Sequence, residues 1–141
     1  MRNYGIPEKI VNLTRKMYGR TVSKVIHEGQ LSESFEVKIG VRQDFLLSPF
    51  LFILAVDWLM RETTAGRRTG VQWTPRRQLE DLDFADDIAL LSHTCDQMQQ
   101  KTTELENTAR SIGLRIHPGK SKVIKDKTDS TAPIQVEGKN L

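Results

Sequence analysis

Asp86 and Asp87 stand side by side in an apolar run, Leu82-Asp83-Phe84-Ala85-Asp86-Asp87-Ile88-Ala89-Leu90-Leu91. Strand-forming residues flank the pair, so the sequence predicts a hairpin with the two acids at its tip. Carboxylates this close repel each other. A divalent cation that favours hard oxygen donors, such as magnesium, would remove the repulsion. One reading of these residues is therefore half of a metal site for phosphoryl chemistry. The other is a solvated Asp-Asp turn, because Asp is a common turn former. Four residues alone do not separate the two readings.

Few other residues offer chemistry. Cys95 is the one cysteine, which rules out an internal disulfide or a cysteine-based zinc site, and no disulfide partner is expected. His27, His93 and His117 lack metal-ligand spacing and read as surface histidines. The net charge of +3 and a pI near 9.1 form a mild basic bias, compatible with a polyanion partner. Hydrophobic content of 38% over 141 residues suggests a thin core or a piece of a larger one. No stretch is apolar for long enough to span a membrane, so no membrane partner is expected. Without an N-terminal leader pattern, the expected compartment is intracellular.

The elements that would position the acids follow from pattern. Pro7 opens a helix carrying Ile10, Leu13 and Met17, which stops at Gly19. Residues 21–28 and 35–39 read as strands of a hairpin turning at Gly29-Gln30. Ser48, as N-cap, and Pro49 open a second helix ending near Thr63-Thr64. Its expected buried stripe is Leu51, Leu54, Ala55, Trp58 and Leu59. Arg67-Arg68 and Arg76-Arg77 bracket a short strand, Gly70 to Trp73. Thr94-Cys95-Asp96-Gln97 matches a capping box. It opens a third helix with Met98, Thr102, Leu105, Ala109 and Ile112 on one face, ending at Gly113. Short strands are expected at 114–116 and 122–124, and residues 125–141 as a loose tail. The sum is one α+β domain over 1–141, an antiparallel sheet with helices packed on one face.

Three blocks in order resemble reverse transcriptases. Gly40-Val41-Arg42-Gln43-Asp44-Phe45-Leu46-Leu47-Ser48-Pro49-Phe50-Leu51-Phe52 looks like the block before the long palm helix of that family. Phe84-Ala85-Asp86-Asp87 looks like its metal-binding hairpin, and Gly113 to Lys122 like the following loop with its lysine. The text from Tyr4-Gly5-Ile6-Pro7 onward resembles non-LTR retrotransposon polymerases.

The resemblance implies a partial polymerase palm, an RNA template, a DNA primer and deoxynucleotides as partners, and Mg2+ (or Mn2+ in its place) as cofactor. It implies that Asp86 and Asp87 are metal ligands and that Lys120 acts on the leaving pyrophosphate. Gln43, Ser48, Pro49, Phe84 and Ala85 would lie at the template or nucleotide. Arg42, Arg76, Arg77 and Lys122 would meet nucleic-acid backbone, although Arg67-Arg68, Arg76-Arg77 and the run Lys120, Lys122, Lys125, Lys127 also read simply as solvated charge. The family role adds the nucleus as a compartment. If the strand ran on unbroken, Asp86 would share a face with Leu82, Phe84, Ile88 and Leu90.

Two departures stand out. The family's metal site takes a further aspartate from a strand before the first helix, and nothing upstream of Pro7 is acidic. Where the family has Gly-Cys after Arg-Gln, this chain has Asp44-Phe45, which adds bulk and negative charge beside a polyanion. Fingers and thumb regions are also not recognised. The expectation is therefore a chain that does not polymerise on its own. The alternative is a non-catalytic remnant binding nucleic acid weakly through its basic residues.

Overall fold

The computed structural model describes residues 1–19, 22–37, 40, 45–66, 68–126 and 132–141. The chain divides into two compact units, Met1–Gln43 and Asp44–Leu141. Among the described residues it is α+β, with three α-helices and five separate two-stranded antiparallel ribbons. The single sheet expected from the sequence does not form among them.

In the first unit, helix α1 (Glu8–Tyr18) starts after Pro7 and stops before Gly19. Its buried residues are Val11 and Thr14, whereas Ile10 and Leu13 of the expected stripe are 45% and 54% exposed. The hairpin is present but broken: β1 (Val22–Ser23) pairs with β4 (Phe35–Glu36), and β2 (Ile26–His27) with β3 (Gln30–Leu31). The break is held by Ser32, whose Oγ accepts from the amide of Val25 at 2.9 Å. The turn is Glu28-Gly29, one residue earlier than expected, and both residues have positive φ.

The second unit holds the core. Helix α2 (Ser48–Thr64) supplies Val56, Leu59 and Met60, and helix α3 (Cys95–Ser111) supplies Leu105 and Ala109. Ser48 is the buried first residue of α2, not its cap; Leu47 holds that place. Of the expected α2 stripe only Leu59 is fully buried. Residues 50–56 are apolar all round the helix, so periodicity cannot select the buried face. The α3 reading holds better. Thr94 Oγ1 accepts from the Gln97 amide at 3.2 Å, although the Gln97 side chain does not reciprocate.

Two ribbons join α2 to α3. Strand β5 (Val71–Thr74) pairs with β6 (Arg77–Leu79), and β7 (Asp81–Phe84) with β8 (Asp87–Leu90). Gly70, at the root of the first ribbon, is buried; a Cβ there would lie 2.0 Å from the Leu79 carbonyl oxygen, so only glycine fits.

Residues 114–116 and 122–124 are not strands. The expected loose tail is corrected too: β9 (Gln135–Val136) and β10 (Lys139–Asn140) form a hairpin on α3, with Ile134 and Val136 both 2% exposed. Gln99 fastens it, accepting from the Gln135 amide at 2.7 Å and donating to its carbonyl at 3.1 Å. No helix of the described residues is long and apolar enough to cross a membrane.

Candidate active site

The two acids sit at the closed end of the β7–β8 ribbon. Phe84 pairs with Asp87, leaving Ala85-Asp86 as a two-residue turn. Ala85 has φ 57°, the left-handed region in which a Cβ is strained. Glu28 and Glu137 take the same conformation, each as the first residue of a two-residue hairpin turn, so the left-handed backbone is what the tight turn requires. Phe84, Ala85, Asp86 and Asp87 are all exposed, Phe84 at 84%. Neither the Asp86 nor the Asp87 carboxylate accepts a hydrogen bond from a described residue.

The register corrects the face assignment. Cross-strand partners share a face, so Asp81, Asp83, Ile88 and Leu90 lie on one side, and Leu82, Phe84, Asp87 and Ala89 on the other. Ile88 and Leu90 pack on the α2–α3 core. Leu82 and Phe84 therefore point away from that core, and Asp86, in the turn, belongs to neither face. Half-buried Asp81 lies on the core side. Desolvation, with the charge of Asp83 behind it, raises its pKa.

The other end of the ribbon is built quite differently. Lys101 of α3 is 0% exposed, and its ammonium donates to Glu80 Oε2 at 2.5 Å, to the Leu91 carbonyl at 2.6 Å and to the Glu80 carbonyl at 3.4 Å. The Glu80 carboxylate also accepts from the Thr69 amide at 2.9 Å, from the Thr69 hydroxyl at 3.2 Å and from the Gly70 amide. Burial alone would raise its pKa, but these donors outweigh burial and leave it lowered. Sequence reasoning missed this pair, although Lys101 lies between Met98 and Leu105 on the inward stripe of α3, an unusual place for a lysine.

The remaining candidates are scattered. Lys120 lies exposed in a short 3-10 turn, Pro118–Lys120, and makes no ion pair with a described residue. Ser48 and Pro49 open α2, one turn before Phe52. Arg76 lies in the turn between β5 and β6 and, with Arg68, Gln72, Pro75 and Gln78, lines a groove of about 400 Å³. The Arg77 amide closes that turn on Thr74 Oγ1 at 3.1 Å. Lys122 is exposed on irregular chain. Arg42, Gln43, Asp44 and Lys127 lie outside the described residues.

Asp86 and Asp87 are hard oxygen donors of the type magnesium takes. Among the described residues, however, no three or more acidic, histidine or cysteine side chains converge on one point. The described donor set does not make a metal site by itself.

A family model described as reverse transcriptase (RNA-dependent DNA polymerase) matches residues 1–133. The chain is 25% identical over 130 residues to the retrovirus-related Pol polyprotein from the type-1 retrotransposable element R2 of Popillia japonica, covering 92% of this chain and 21% of that protein. It is 29% identical over 122 residues to the Pol polyprotein from the type-2 retrotransposable element R2DM of Drosophila melanogaster, covering 85% of this chain and 11% of that protein.

Proposed function

Because the chain belongs to the reverse transcriptase family, we propose that it is the part of an RNA-directed DNA polymerase that carries the carboxylate turn, a partial palm. The observation that carries this reading is the turn itself. Two adjacent exposed acids follow a left-handed alanine inside the region matched by the family. Asp86 and Asp87 would hold Mg2+, or Mn2+ in its place, only together with donors beyond those described. Exposed Phe84 beside them offers a ring to a nucleotide or template base. Lys120, Gln43, Ser48 and Pro49 keep the roles the family resemblance implies. RNA template, DNA primer and deoxynucleotides are the proposed partners.

A chimera tests the reading. This chain replaces the aligned stretch of the Drosophila relative, and RNA-templated primer extension is measured. The expected result is extension that falls by about a hundredfold or more with Asp86→Ala, the scale set by losing transition-state charge stabilisation. Extension indifferent to Asp86 contradicts the proposal. A chimera that is silent until Asp44-Phe45 is changed to Gly-Cys assigns the block to that pair.

A second reading, a non-catalytic nucleic-acid binder, draws on the groove lined by Arg68 and Arg76. Under it, the 141-residue chain binds RNA with an affinity that falls steeply with salt and does not respond to Asp86→Ala.

A further inference from the structure

We propose that Lys101 and Glu80 are positioning residues for the carboxylate turn: a buried clamp at the open end of the β7–β8 ribbon that sets how Asp86 and Asp87 are presented at the other. The inference rests on the reading of that turn as the reacting end. It is carried by contacts that sequence alone does not reveal.

The contacts are concentrated on one rung. The Leu91 amide donates to the Glu80 carbonyl at 2.9 Å, which extends the ribbon one step beyond the Asp81–Leu90 pair. Lys101 reaches the carbonyls of both residues of that rung and the Glu80 side chain as well. Glu80 in turn holds Thr69 and Gly70, the entry to the β5–β6 ribbon. One buried ammonium and one carboxylate thus fix both ribbons to α3. The turn lies four rungs away, about 13 Å at ordinary strand rise.

The ribbon needs such a device. A two-stranded ribbon is marginal by itself, and neither β7 nor β8 has a further strand partner among the described residues. Its packing contributions from β8 come from Ile88 and Leu90. Apolar contact is non-directional and tolerates sliding and tilting. The clamp's hydrogen bonds are directional and fix the first rung against the helix. A buried ion pair is a poor route to stability as such, because apolar residues of similar volume often serve as well. What it supplies here is orientation.

Hydrogen exchange and NMR spectra of the 141-residue chain test the proposal, with Lys101→Met and Glu80→Gln as variants. Lys101→Met removes the buried ammonium from the first rung and the counter-charge from half-buried Glu80, so exchange at residues 81–90 should accelerate by roughly a hundredfold. Amides of residues 56–60 and 105–109 should change by less than about twofold if the opening is local. The Ala85 α-carbon shift, which reports its left-handed backbone, should move with the ribbon. Glu80→Gln keeps an acceptor for Thr69 and Gly70 and should give the same pattern with a smaller amplitude. It decides the question if Lys101→Met fails to fold. Acceleration shared equally by ribbon and helices, or absent from the ribbon in the deciding variant, overturns the clamp. A chimera indifferent to Asp86 would sink the polymerase reading, yet the exchange pattern would still judge the clamp.

Discussion

The β7–β8 ribbon carries charge at both ends and treats it in opposite ways. At the closed end, the Asp86 and Asp87 carboxylates are exposed, without hydrogen bonds from described residues, and follow an alanine held at φ 57°. At the open end, Glu80 is nearly buried and Lys101 is 0% exposed, with every contact of the pair inside hydrogen-bond range. Buried charge is tolerated only when paired and hydrogen-bonded. Exposed carboxylates without such partners remain open to solvent and to a cation. The ribbon is thus held at one end and exposed at the other.

The largest effect that would break this contrast is at Lys101. Lys101→Met should lower unfolding stability by about 3 kcal/mol in urea titrations, the low end for breaking a buried pair, because half-buried Glu80 loses its counter-charge but keeps Thr69 and Gly70. A loss no larger than that of an ordinary surface change would mean the pair is wet and the two ends are alike. Gly70→Ala comes next. The added Cβ would press on the Leu79 carbonyl oxygen at 2.0 Å, so a thermal melt should show a loss on the overpacking scale of about 1–3 kcal/mol or more.

Glu80 and Asp81, adjacent in sequence, sharpen the comparison through pH. Glu80 has a lowered pKa in the folded chain, so its contribution is present above its unfolded value and is lost as acid titrates it. Asp81 has a raised pKa, so its contribution is present below its unfolded value and is lost as pH rises through the folded one. Denaturation followed from neutral pH downward should therefore lose stability below about pH 4.5, where carboxylates ordinarily titrate. Glu80→Gln should flatten that loss and Asp81→Asn should steepen it.

The smallest effects belong to the turn. Ala85→Gly relieves the left-handed strain at some entropic cost and should be neutral to stabilising, within about 1 kcal/mol. Asp86→Asn with Asp87→Asn should shift stability by no more than about 0.5 kcal/mol, as for surface positions.

Much of the exposed end was legible in the sequence. Alternating strand formers around two acids gave the hairpin and its tip, and Thr94 with Gln97 marked the start of α3. The held end was not legible, for a physical reason. A lysine reads as surface unless its partner is known, and Glu80 lies 21 residues away. The face of α2 was lost because residues 50–56 are apolar on every side. The face of β7 was misread because the two-residue turn breaks the alternation that a continuous strand would keep. The C-terminal hairpin was missed because Ile134 and Val136 are isolated in a polar tail, and only docking on α3 shows them buried.

The most direct measurement of cation binding at the turn is a Mn2+ titration of the 141-residue chain, read as paramagnetic broadening at every amide. The strongest broadening should centre on residues 85–87, with weak affinity befitting an incomplete donor set, and Asp86→Asn with Asp87→Asn should remove it. Broadening centred elsewhere, or unchanged in that double variant, would contradict binding at the turn.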